Sequence, residues 1–169
     1  MEIINKRRSV REYAKKTVEK EKIELILKAA MQAPSACNQQ PTRFLVIEDK
    51  EMLNKISETF KSMRFSKDAS FVILYLVTKV DLMAPMMAPQ DASASVENSL
   101  LKATELGIGS CWCGVYPRED RMNDAKILFN IPDNLYPFAI VTFGYPLKSD
   151  ALKFVDRYDE KKVFFEKFE

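Results

Sequence analysis

An unbroken apolar run over residues 71–77, Phe-Val-Ile-Leu-Tyr-Leu-Val, restricts the fold more than any other feature of the chain. Several of its side chains are β-branched or aromatic, which favours a strand. A strand that is apolar on both faces has to be covered on both faces. At seven residues, the run is also too short to cross a bilayer. It therefore predicts the central strand of a covered sheet.

Helical spacing of apolar residues predicts the elements around this strand. One amphipathic helix is predicted between Thr17, its N-cap, and Pro34, whose ring disfavours continuation. A second is predicted over residues 53–63. A third is predicted from Asp91, its N-cap, to Gly107, which suits a left-handed helix end. The remaining predicted elements are strands at 44–47, 108–113 and 139–145 and a short helix at 118–128.

Size and charge limit the classes of protein that this chain can belong to. At 169 residues, 47% of them hydrophobic, it suits one domain over residues 1–169. A net charge of +2 is too small to imply a nucleic-acid or membrane partner. No signal peptide is predicted, and the three cysteines lack zinc or thioredoxin spacing. Reduced thiols in a cytoplasmic protein are the simplest expectation.

The chain contains no histidine. A Ser-His-Asp or Cys-His nucleophile is therefore excluded, and zinc sites lose their commonest ligand, so no metal site is predicted. General acid–base catalysis would need a side chain with a shifted pKa. These exclusions suggest that any redox or group-transfer chemistry is supplied by a cofactor.

Two polar segments suggest which cofactor. The cationic segment, residues 6–11, is Lys-Arg-Arg-Ser-Val-Arg, and its guanidinium and hydroxyl donors suit phosphate oxygens. The amide-rich loop, residues 34–41, is Pro-Ser-Ala-Cys-Asn-Gln-Gln-Pro, and its uncharged polar groups suit the edge of a heteroaromatic ring. Taken singly, the first could be a solvated surface and the second an ordinary turn. Together they predict a site for a mononucleotide.

The order of the motifs resembles the nitroreductase family of FMN-dependent oxidoreductases. The similar segments are Arg-Arg-Ser-Val-Arg-Glu-Tyr at 7–13, residues 33–41, Arg-Phe-Leu-Val-Ile at 43–47, Gly-Ile-Gly-Ser-Cys-Trp-Cys-Gly at 107–114 and Phe-Gly-Tyr-Pro at 143–146. The resemblance implies an α+β fold, with a central, mostly antiparallel sheet flanked by helices. It also implies an intertwined homodimer with exchanged terminal segments and FMN at the interface.

The resemblance implies a set of cofactor-binding residues. They are Arg7, Arg8, Ser9, Arg11, Pro34, Ser35, Asn38, Gln40, Cys113, Gly114 and Arg157. Arg7, Ser9 and Arg157 would hold the phosphate, with Arg8 close by. Ser35, Asn38 and Gln40 would face the ring and ribityl chain from the opposite subunit. Arg157 could instead form an ion pair with Asp156 or Asp159. Thr42 stands where many relatives have Trp, so the pocket's shape is expected to differ there.

No side chain of this chain is expected to be catalytic, because the chemistry takes place at the flavin N5. Arg11 is expected near the N1/O2 edge of the ring, where a fixed cation would stabilise the charge acquired on reduction. The implied activity is ping-pong reduction of a small electron-poor acceptor, such as a nitroaromatic or quinone, by NADH or NADPH. Residues 83–89, rich in methionine, are the expected place of substrate selection.

Two alternative functions remain open from the sequence. A flavin-binding storage or sensor protein without turnover would carry the same cofactor motif. A relative acting on enone or halogenated substrates would share the scaffold. Rapid reduction by a nicotinamide nucleotide, followed by reoxidation with an acceptor, separates the first alternative from an enzyme.

The aromatic side chains of the tail, residues 150–169, need burial despite the many charges beside them. Docking on a partner subunit or packing as a helix on its own domain would both bury them, and the resemblance favours docking. In the predicted strand at 108–113, Cys111 and Cys113 share one face and are expected to be structural. Trp112 is expected either to fill the core or to stack near the cofactor.

Overall fold

The computed structural model describes residues 2–168 and is built on a four-stranded antiparallel sheet. Its strands are β1 (Thr42–Ile47), β2 (Phe71–Thr78), β3 (Gly109–Gly114) and β4 (Leu135–Gly144), arranged in the order β1-β2-β4-β3. The apolar run forms β2, which lies between β1 and β4 and is buried at every residue. The predicted central strand is thereby confirmed.

Helices cover both faces of this sheet. They are α1 (Glu2–Lys6), α2 (Lys20–Met31), α3 (Lys50–Thr59), α4 (Ala88–Glu105) and α5 (Glu119–Phe129). Side chains alternate along β2, so that Ile73 and Tyr75 pack with α2 and α4, while Val72 and Leu74 pack with α3 and α5. The α+β fold with an antiparallel sheet between helices is confirmed.

The helix starts differ from the predicted ones. The N-cap of α2 is Glu19 rather than Thr17. Helix α4 begins at Ala88 with a proline in its first turn, so Asp91 lies inside the helix and the prediction that it is the N-cap is wrong. The predicted helix over 53–63 ends at Thr59, and a 3₁₀ segment follows. Gly107 ends its helix with φ of 72°, as predicted.

The chain between α1 and α2 runs along the edge of β3 and past the end of β4. Val10 N–H donates to the Ser110 carbonyl at 2.9 Å, and Ala14 N–H donates to the Tyr145 carbonyl at 2.8 Å. A Cβ at Gly109 would lie 2.8 Å from Val10 Cβ, which is too close for any larger residue. This close packing fixes the position of the cationic segment against the sheet.

The tail contains only a short 3₁₀ turn (Glu160–Lys162), and no α-helix is found in it among the described residues. Its aromatic side chains are largely exposed, with Phe165 at 85% and Phe168 at 86%. Met1 and Glu169, the ends of the predicted domain, lie outside the described residues. Within residues 2–168, every helix is too short or too polar to traverse a lipid bilayer.

Candidate functional site

The cationic segment follows directly on α1 and collects guanidinium groups. Arg7 Nε lies 3.3 Å from Glu97 Oε1 on α4. Arg8 donates to the carbonyls of Asn5, at 2.7 Å, and Arg7. The Nε of Arg8 is buried and has no hydrogen-bond partner among residues 2–168. A buried donor without an acceptor is uncommon in folded proteins, and such a nitrogen can donate to an anion.

Arg157 of the tail lies near this group. Burial lowers the pKa of Arg8 from its usual value, and the charges of Arg157 and then Arg7 lower it further. Among the described residues Arg157 has no ion pair with Asp156 or Asp159, and Asp159 pairs instead with Lys162 at 3.3 Å. The structure therefore brings three guanidinium groups together, an arrangement that suits an anion with several oxygens.

Ser9 and Arg11 line a separate cavity of 260 Å³. Arg11 places its guanidinium carbon 5.9 Å from the centre of the Phe65 ring. The nearby Cys113 thiol and the Arg11 cation lower the pKa of Cys111 to about 7 despite its burial. Arg11 is thus close enough to Cys111 for its charge to favour the thiolate. Cys111 is nevertheless buried in the sheet, as expected for a structural cysteine.

The amide-rich loop forms the wall of a larger cavity of 490 Å³. Of the predicted site residues, Pro34, Ser35 and Gln40 line this cavity, and Thr42 lies on the same wall. Three residues of the loop are left-handed: Cys37, Asn38 and Gln40 have φ of 50°, 52° and 45°. Each such conformation costs about 1–2 kcal/mol in a residue with a Cβ, least in Asn. The surrounding hydrogen bonds have to offset this cost.

Those hydrogen bonds come from within the loop and from α4. Ser35 Oγ accepts from Gln40 N–H at 3.0 Å, and Asp91 Oδ1 accepts from Ala36 N–H at 3.0 Å. Gln39 Nε2 donates to Asp91 Oδ2 at 2.7 Å. The sequence prediction missed Asp91 and Gln39 as parts of this site. The proline two residues before Asp91 was the available signal, because it marks an earlier helix start.

The cations and the amide-rich loop lie on different sides of α4. Asp91 faces the loop and Glu97 faces Arg7, and the two are separated by about 9 Å along the helix and roughly 120° around it. None of the predicted arginines lines the 490 Å³ cavity. A single chain therefore does not bring the two halves of the predicted site into one cavity.

The end of β3 supplies the remaining predicted residues. Cys113 packs against the core between the sheet and α3 and α5. Trp112 packs on the opposite face, 6.1 Å from Phe138 between ring centres, which supports its role in the core. A Cβ at Gly114 would meet nothing within 4 Å, so its backbone is open to approach from outside the chain.

Comparison with known proteins agrees with this architecture. The model of the nitroreductase family matches residues 4–82 and 64–145. A protein of Archaeoglobus fulgidus with the provisional name NADH dehydrogenase/NAD(P)H nitroreductase is 44% identical over 170 residues, covering 99% of this chain and 98% of the relative.

Solved structures give the same result. A protein of Clostridium acetobutylicum provisionally named NADH oxidase superposes with a TM-score of 0.95 at 44% identity, covering 98% of this chain and 99% of its own. An FMN-dependent nitroreductase from Clostridium difficile R20291 has a TM-score of 0.89 at 32% identity and covers 98% of both chains. From its sequence, its fold and these similarities, the chain belongs to the nitroreductase family.

Proposed function

We propose that this protein is an FMN-dependent oxidoreductase that uses NADH or NADPH to reduce small electron-poor acceptors, such as nitroaromatics or quinones, in a ping-pong reaction. The observation that carries the proposal is the cluster of Arg7, Arg8 and Arg157 with a buried guanidinium nitrogen that lacks an acceptor. A phosphate would supply that acceptor. The name of the Clostridium difficile relative supports FMN as the molecule that carries the phosphate, and the name of the Archaeoglobus relative supports NADH or NADPH as the electron donor.

The cations of this chain bind the phosphate in this proposal. Arg7, Arg8 and Arg157 donate hydrogen bonds to its oxygens, and the Ser9 hydroxyl adds another. Charge-assisted bonds of this kind contribute about 1.5–3 kcal/mol each. The crowding of like charges, which is unfavourable in the free protein, becomes favourable when the anion binds.

In this proposal, the amide-rich loop of a second copy of the chain binds the ring. Ser35, Asn38 and Gln40 orient the ring and the ribityl chain, and the backbone at Cys113 and Gly114 lies on the ring's other side. Two chains are needed because one chain places these groups and the cations on different sides of α4. The exposed aromatics of the tail support a dimer in which residues 150–169 dock on the partner.

Bound FMN would accept a hydride from the nicotinamide nucleotide and pass electrons to the acceptor. The contribution of the chain is to orient the reactants, because it offers no histidine for proton transfer. Arg11 stabilises negative charge on the reduced ring. If Arg11→Met binds FMN normally without a fall in its reduction potential, that role is wrong. Met83 and Met86 are exposed, and Met86 lines a further cavity of 290 Å³, so they provide an adaptable surface for acceptors.

The test is purification followed by spectroscopy and turnover. We expect a yellow dimer that releases FMN, is rapidly reduced by NADH or NADPH, and is reoxidised by menadione or nitrofurazone. A storage or sensor protein would bind FMN but would not be reduced at a useful rate. A colourless protein that takes up no added FMN at micromolar concentration would overturn the proposal.

A further inference from the structure

We infer that Asp91 is a positioning residue of the flavin site that acts through Gln39, and that Gln39 couples the amide-rich loop to the methionine segment, residues 83–87, which is the part of the 83–89 stretch that precedes α4. The inference rests on the proposed function, since it assigns the amide-rich loop to the flavin ring. It adds to that function a connection between the ring-binding loop and the segment expected to meet the acceptor.

Asp91 is a buried carboxylate whose hydrogen bonds go to the loop. Only 7% of the residue is exposed. Its two oxygens accept from Ala36 N–H at 3.0 Å and from Gln39 Nε2 at 2.7 Å. Asp91 lies in the first turn of α4, where the helix N-terminus stabilises a carboxylate. Both of its oxygens are used on the amide-rich loop, so this carboxylate attaches the loop to the helix.

Gln39 uses both ends of its amide. Its Oε1 accepts from Ala84 N–H at 3.0 Å, and its Nε2 donates to the Ala84 carbonyl at 3.0 Å as well as to Asp91. The paired bonds to Ala84 resemble those between neighbouring strands. They fix the amide in one orientation. Reversing it would place oxygen against oxygen in two of the three bonds and N–H against N–H in the third.

Ala84 lies between Met83 and Pro85, inside the methionine segment. A movement of Gln39 would therefore displace this segment as well as the left-handed residues on either side of Gln39, Asn38 and Gln40. Asp91 lies on the regular helix α4, so its hydrogen bonds attach both the amide-rich loop and the methionine segment to that helix. The geometry makes the loop and the segment a single unit held at Asp91.

A charge-exchange cycle tests this connection. Asp91→Asn removes the charge and presents an amide to the Gln39 amide, while Gln39→Glu sets a second carboxylate against Asp91. The double variant restores one amide and one carboxylate at this contact in the opposite order, but it leaves the Ala84 carbonyl without the donor that Gln39 Nε2 supplies. We expect the dissociation constant of FMN to rise at least tenfold in each single variant and to recover partly in the double variant, to at least threefold below that of Gln39→Glu.

Amide hydrogen exchange of the flavin-free protein provides a readout that does not depend on the cofactor. Exchange at Ala84 should accelerate in Asp91→Asn, although Asp91 makes no bond to Ala84, while the core strand β2 stays protected. The matched control is Gln90→Glu, which adds a charge at an exposed neighbour of Asp91 and should leave FMN affinity and Ala84 exchange at wild-type values.

Steady-state kinetics should show the consequence for the acceptor. The acceptor KM should rise in both single variants, more than the KM of the nicotinamide nucleotide, because the methionine segment moves. If Asp91→Asn folds poorly, Gln39→Met tests the same connection, since it keeps the bond from Ala36 to Asp91 and removes both bonds to Ala84.

Unchanged Ala84 exchange in Asp91→Asn or in Gln39→Met would overturn the inference, and so would a double variant no better than the worse single one. Failure of the proposed function is distinguishable, because the wild-type protein would then bind no FMN at all. The exchange experiment would still decide whether Asp91 holds the loop and the methionine segment together.

Discussion

The amide-rich loop and the arginine cluster are stabilised in opposite ways. In the loop, Ser35, Gln39 and Asp91 give the polar groups partners within the same chain, and three left-handed residues are held in place. In the cluster, like charges crowd together and Arg8 Nε has no acceptor within the described residues. The polar groups of the first region have their partners within the chain, whereas in our proposal the second region is completed by an anion.

This difference predicts how the two regions respond to mutation. Changes in the loop should alter the stability of the flavin-free protein as well as its affinity for the ring, because they break existing hydrogen bonds. Changes in the cluster should lower the affinity for the phosphate without lowering the stability of the flavin-free protein, because removing one of several like charges relieves repulsion. We expect the tail to respond to mutation as the cluster does, since the tail brings Arg157 to the cluster and its own aromatic side chains are exposed.

The largest effect is expected from the tail. Changing its four phenylalanines (Phe154, Phe164, Phe165 and Phe168) to serine should convert the proposed dimer, of about twice 19.5 kDa, into a monomer. FMN affinity should fall beyond measurement, because the loop and the cluster would no longer meet. Light scattering and flavin fluorescence measure both results.

A control for this variant changes four lysines of the same tail (Lys153, Lys161, Lys162 and Lys167) to glutamine. It should remain dimeric, because surface lysines contribute little to an apolar interface. If the serine variant also stays dimeric and binds FMN normally, the tail does not join the two halves of the site.

Arg7→Gln should weaken FMN binding by about 10- to 100-fold, the equivalent of losing one charge-assisted hydrogen bond of about 1.5–3 kcal/mol. Riboflavin, which lacks the phosphate, should bind the variant and the wild type equally, and the melting temperature should hardly change. Lys6→Gln is the matched control, because Lys6 pairs with Glu2 and is exposed. An equal loss of riboflavin affinity would show that Arg7 acts on the ring or on the fold.

Much of the fold could be predicted from the sequence because its signals are local. The apolar run at β2 and the glycine at the end of α4 each identified their structure through neighbouring residues. The contacts that hold the amide-rich loop are not local: Gln39 and Asp91 are 52 residues apart, and Gln39 and Ala84 are 45 apart. No periodic pattern in a sequence reveals pairs so far apart. The loop could therefore be predicted as a motif, but the hydrogen bonds that hold it could not.

Ser35→Ala tests whether the loop is complete in the free protein. It removes the acceptor of Gln40 N–H, a bond expected to contribute about 0.5–1.5 kcal/mol. For a chain of this size, that corresponds to a melting temperature lower by roughly 1–6 °C. Ser149→Ala, at an exposed serine, should leave the melting temperature unchanged. A flavin-free protein that is equally stable after Ser35→Ala would mean that FMN itself orders the loop.

The smallest expected effect concerns the left-handed residue Cys37. Glycine adopts φ of 50° without strain, but it also loses more conformational entropy on folding. We expect Cys37→Gly to be more stable than Cys37→Ala by about 0.5 kcal/mol, measured by urea denaturation of the flavin-free proteins. FMN should nevertheless bind the glycine variant about twofold more weakly, because a freer loop has to be ordered on binding. Greater stability of the alanine variant would show that the left-handed conformation of Cys37 carries no strain, and the loop would then need less support from Asp91 than its geometry indicates.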